Sequence, residues 1–124
     1  MADRWHILRE GAAVTVTRRL PLRWDVAART VLPPVLPPAR PLRLAAQVRQ
    51  DLWRALRRQR GFAPAVAVVP EGAGLRLCAG GRVDAAHDRA ALEARIAALL
   101  ADPGRRARWL RCARLKDRAS EGAT

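Results

Sequence analysis

The sequence predicts an α+β fold: a small antiparallel sheet made of two hairpins, with helices packed on one face. Three observations carry that prediction. Two pairs of extended, apolar segments each fold back at a glycine-containing turn. Three segments have helical start or stop signals, and two of these show a clear apolar stripe. The order ββ-α-ββ-α-α then gives each hairpin a helix to cover its apolar side. At 124 residues, the chain fits a single domain able to bury its own core.

The first hairpin is read from "RWHIL" and "AVTVTRRL", joined through "REGA" with its glycine at the bend. Alternation is clearest from Val14 to Thr17. Residues 30–41, "TVLPPVLPPARP", follow as a proline-rich connector, where five prolines between Pro33 and Pro41 forbid helix and central strand. A stiff polyproline-II linker is expected there, with PxxP spacings of the kind that aromatic grooves bind. Residues 42–60 predict a helix with proline at its start and Gly61 as its stop. Leu44, Ala45, Val48, Leu52, Ala55 and Leu56 share one face of it. Arg43, Gln47, Gln50, Arg54, Arg57 and Arg58 share the other.

The second hairpin pairs "APAVAVVP" with "LRLCAGGRV" across "EGAG". Its first strand is apolar on both faces, which suits a central or covered position. Its second alternates Leu75, Leu77 and Ala79 with Arg76 and Cys78, which suits one covered face. A helix over 88–101 has Asp88 as its cap and Leu92, Ile96 and Leu99 as its stripe. Asp102-Pro103 opens a last helix to about 116, within a basic segment 103–118, and residues 119–124 are expected to fray. The two halves share no residue pattern that would mark a duplication.

Charge is the most distinctive property. The formal net charge is +13, and Lys116 is the only lysine among 24 basic residues. A GC-rich bacterial genome would put arginine in place of lysine in this way, but it would not make bases outnumber the 11 acids. The excess is concentrated. Residues 40–60 carry seven arginines against Asp51, and residues 105–118 carry six arginines and Lys116 against Asp117. Such a surface attracts anionic partners and resists self-association. The last helix has bases around nearly its whole circumference, so it is expected to bury little apolar surface. On that reading a chain ending at Ala101 should still fold. Each of the four tryptophans has an arginine beside it in sequence, a pattern open to cation–π pairing or base stacking.

Chemistry-bearing motifs are lacking. His6 and His87 have no cysteine or acid at metal-ligand spacing, and "EGAGLRLCAGG" lacks the P-loop lysine. Ser120, the only serine, falls in the tail. A Cys–His pair drawn from Cys78 or Cys112 with His87 has no supporting pattern. No enzyme activity, cofactor or metal is expected. Two cysteines make no disulfide framework, and reduced thiols are expected. The opening "MADRWHILRE" has no apolar core of the signal-peptide kind, and no apolar run approaches a membrane span. The expected location is the cytoplasm.

The expected function is that of a basic, non-enzymatic binding protein. The leading partner is nucleic acid, held through its phosphates without sequence readout. Arg43, Arg54, Arg57 and Arg58 of the middle helix, with Arg105, Arg106, Arg108, Arg111 and Trp109 of the last, form the expected contact set. The alternative is a small adaptor or accessory subunit whose proline segment and last helix dock on an acidic protein surface.

Overall fold

The computed structural model describes residues 5–122, with side chains as far as Arg114. The α+β class holds. Its elements are β1 (His6–Glu10), β2 (Ala13–Thr17), β3 (Val26–Leu32), α1 (Pro41–Leu56), β4 (Phe62–Glu71), β5 (Gly74–Val83), α2 (Arg89–Ala101) and α3 (Pro103–Gly122). Both predicted hairpins form, β1 with β2 and β4 with β5. The strands make one antiparallel sheet in the order β1-β2-β4-β5-β3. As the apolar sequence of β4 suggests, that strand lies at the centre. Pro64 is tolerated there because pairing with β2 is ending, and its carbonyl still accepts from the Arg18 N–H at 2.9 Å.

The fifth strand, β3, is absent from the sequence reading, which placed its last three residues in the proline connector. It pairs with β5 from Val26↔Gly81 to Leu32↔Leu75, turning Val26 and Leu32 into the core. As an edge strand it presents unpaired backbone groups outward, and side chains from the helices satisfy two of them. Glu93 of α2 accepts from the Ala27 N–H at 2.9 Å, and Arg106 of α3 donates to the Val31 carbonyl at 2.9 Å. Just before the strand, Asp25 accepts from the Val83 N–H at 2.9 Å and pairs with Arg23.

The core lies on one side of the sheet. Val16, Val26, Leu32, Val66, Val68, Leu77 and Ala79 face Leu44, Val48, Leu52 and Leu56 of α1 and Leu92, Ile96 and Leu100 of α2. Strand alternation puts Thr15, Ala67, Val69, Cys78 and Arg29 on the opposite face. The apolar stripe of α1 is as predicted except for Ala55, which is exposed. The helix stops at Leu56, short of the expected 60. Gly61 has φ +71°, and a Cβ there would come within 2.9 Å of the Ala85 backbone nitrogen. The chain therefore turns early, and Arg57 and Arg58 fall on the turn. Arg95 of α2 closes the helix end by donating to the Ala55 carbonyl at 2.6 Å.

The connector after β3 bends at Leu36 and Pro37, whose peptide bond is cis, rather than running on as extended polyproline. It lies beside the β4–β5 turn, and Arg114 donates to the Leu36 carbonyl. α2 has Asp88 as its cap, accepting from the Ala91 N–H at 3.0 Å. α3 runs to Gly122, beyond the predicted end and through four residues of the expected frayed tail. Cys78 and Cys112 are free thiols.

Acid sensitivity follows from the carboxylates that hold β3. The Val83 N–H, and then Arg23, hold the Asp25 carboxyl below its ordinary range; the Ala27 N–H does the same for Glu93. Groups with a depressed folded pKa contribute their full stability above the unfolded value. That contribution is lost as pH falls through the folded one. The double variant Asp25→Asn/Glu93→Gln keeps acceptors but cannot titrate. Its urea midpoint is expected to vary less than the wild type's between about pH 5 and pH 2. Parallel pH profiles for the two proteins would show that these bonds do not govern acid stability.

Candidate anion-binding surface

The two basic segments meet because α3 packs along α1. Arg106, Trp109 and Ala113 lie on the inward face of α3 at helical spacing, and Trp109 bonds to α1. Trp109 and Ala113 are fully buried. The Trp109 indole N–H donates to Asp51 Oδ2 at 2.7 Å, and Arg108 donates to the same oxygen. Asp51, the lone acid of α1, is only 8% exposed and is the bonded centre of the helix pair. Arg106 donates to the Thr30 hydroxyl at 2.8 Å, the Leu100 carbonyl at 2.9 Å and the Val31 carbonyl.

These contacts sort the predicted residues into two groups. Trp109 is part of the core, so its indole is closed to base stacking. Arg106 is a staple between α3 and β3. Arg108 is largely committed to Asp51, and its Nε is buried without a hydrogen bond among the described residues. α3 is therefore not cationic all round, contrary to its helical-wheel reading. Its inward face includes the half-buried Arg106, whose two terminal nitrogens donate to acceptors inside the fold. The outward residues are Arg54 of α1, Arg57 and Arg58 on the following turn, and Arg105 and Arg111 of α3.

Arg54, Arg105 and Arg108 line one cleft of about 470 Å³ between the helices, with Asp51 and Asp102 also in its walls. Asp102 is the cap of α3, accepting from the Arg105 N–H at 2.8 Å. The cleft thus holds three cations and two acids that already have partners. Arg57 lies beside Trp53, Arg19 and Arg60 near the end of α1. Arg58 borders Arg60 on the adjoining surface. Arg43 stands apart, at the start of α1 and facing β1.

Among the described residues, no group of three or more His, Cys, Asp or Glu side chains could hold a metal ion. Nor is any helix among the described residues long and apolar enough to cross a membrane. Burial pushes the Cys78 thiol above its ordinary pKa, despite Arg29 and Arg76 nearby, which disfavours the reactive thiolate. No family model matches the chain, and neither a curated protein nor a solved structure does.

Proposed function

We propose that this is a non-enzymatic basic binding domain that holds nucleic-acid phosphates on its α1–α3 side without reading sequence. One observation carries the reading: segments about fifty residues apart bring Arg54 together with Arg105 at one cleft, while Arg57, Arg58 and Arg111 remain exposed. Outward guanidinium groups on rigid elements suit phosphate, which they can bind bidentately. An acidic protein surface is the competing partner.

Fluorescence anisotropy with labelled single- and double-stranded oligonucleotides of unrelated sequence tests the proposal. Affinity should be nearly equal among sequences of one length and should fall steeply with salt as counterions are released. Replacing Arg54, Arg105 and Arg111 by glutamine should lower the slope of log K against log salt by about 2 to 3, with the melting temperature nearly unchanged. Salt-independent binding, or none at low salt, would overturn the proposal. Capture of an acidic protein from nuclease-treated lysate, with no nucleic-acid binding, would favour the competing partner.

A further inference from the structure

A second concave surface lies elsewhere, between the open edge of the sheet and the first half of α1. It is a groove of about 770 Å³, within the range of small-molecule sites. Its walls include Ile7 of β1, Val14 and Val16 of β2, and Leu42 and Ala46 of α1. Val14 and Val16 belong to the buried core, whereas Ile7 is 49% exposed. The open apolar wall of the groove is therefore Ile7, with the half-buried Leu42 and Ala46 facing it.

Its described charges have one sign: Arg9, Arg40, Arg43 and Arg49 line it, and among the described residues no Asp or Glu does. Arg40 and Arg49 are already engaged, Arg49 lying over the Trp5 ring at 4.4 Å from its centroid. Arg9 and Arg43 make no ion pair among the described residues and approach from opposite walls, one from β1 and one from α1. The start of α1 adds to the field, since its first turn has no acid and no side-chain cap. An apolar wall beside two cations, with no acid among the described residues, calls for a ligand apolar along its body and anionic at one end.

We propose that this groove binds a free single-chain amphiphile with a terminal carboxylate, its chain against Ile7, Leu42 and Ala46 and its carboxylate between Arg9 and Arg43. The site is separate from the α1–α3 surface and does not depend on what that surface binds.

The probe is dodecanoate, kept below its micellar concentration and followed by calorimetry. Dodecylammonium and acetate are the controls, since each keeps one half of the required chemistry. Saturable one-to-one binding of dodecanoate is expected, with at least tenfold weaker binding of both controls. Arg9→Gln/Arg43→Gln alters exposed side chains and should weaken dodecanoate at least tenfold without shifting the melting temperature. Ala46→Trp fills the groove and should abolish binding. Equal binding of dodecanoate and dodecylammonium, or wild-type affinity in the arginine double variant, would overturn the proposal. So would co-sedimentation with phosphatidylglycerol vesicles that Ala46→Trp abolishes, in the absence of dodecanoate binding: the groove would then take a bilayer lipid. Oligonucleotide binding should be unchanged by Ala46→Trp, so the two proposals fail separately.

Discussion

Removing α3 is expected to abolish the native fold, and the single change Trp109→Ala should remove about 3 to 5 kcal/mol of stability. Trp109 is the largest fully buried side chain, and Ala113 one turn on is equally covered. A chain ending at Ala101 would uncover the side of α1 on which these residues rest. It would also leave the Asp51 carboxylate without either of its partners and the Val31 carbonyl without Arg106. Loss of a buried aromatic and stranding of a buried charge are both large against a total stability of about 5 to 15 kcal/mol. Trp109→Phe separates the two effects. It keeps most of the ring but removes a hydrogen bond to a charged acceptor, for a loss of about 1.5 to 3 kcal/mol. Urea unfolding followed by far-UV dichroism measures all three. A truncated chain with the wild-type midpoint would show that α3 is an appendage, as its charge pattern suggested.

The reason for that misleading pattern is physical. A helical wheel sorts residues by type, and Arg106 counts as surface on it. Inside the fold the same guanidinium meets the Leu100 carbonyl of α2 and, once β3 has joined the sheet, the Thr30 hydroxyl and the Val31 carbonyl. Asp51 misleads in the same way. A single acid among arginines reads as a surface ion pair, yet it sits beside the apolar stripe, where α3 closes over it. Its one available clue was that position at the edge of the stripe. By contrast, Leu44, Val48 and Leu52 were legible because their signal is local: one helical face, repeated over neighbouring turns. The two hairpins were legible for a similar reason, with each strand's partner lying across a short turn.

β3 had no such local signal. Its partner β5 lies far along the chain, and Ala27 and Ala28 blunt the alternation that would mark a half-buried strand. The prolines after Leu32 then drew its last residues into the connector. The candidate surface was legible as composition but not as geometry. Counting arginines located the two basic segments, but only packing separates Arg54, Arg105 and Arg111, which face out, from Arg106, which holds the fold. The groove below β1 left still less trace. Arg9 and Arg43 are distant in sequence, and neither belongs to a motif.

The other large effect is expected at the end of β5, where "AGG" reads in sequence as an ordinary glycine-bearing strand. Here β5 is flanked on both sides, Gly80 opposite Ala27 and Gly81 opposite Pro64. A Cβ on Gly80 would fall on the Val26 carbonyl oxygen, and one on Gly81 would fall on the Ala63 carbonyl oxygen. Gly81 also has φ +138°, where L-residues are strained. Both obstacles are backbone, so no side chain can swing away to make room. In Gly81→Ala, backbone strain and overpacking should each remove about 1 to 3 kcal/mol. Because Gly81 also accepts from the Asp25 N–H, the shift should loosen the entry to β3. Gly72→Ala is the control. It lies in the β4–β5 turn at φ +60° with nothing near its Cβ position, so only the left-handed backbone term applies, about 1 to 2 kcal/mol. Urea midpoints should therefore fall well below the control's in Gly81→Ala. Amide exchange should quicken at Asp25 and Ala27 in that variant alone. Equal midpoints for the two variants would mean that β4 and β5 can separate at this point without loss, and that the close approach is not what requires glycine there.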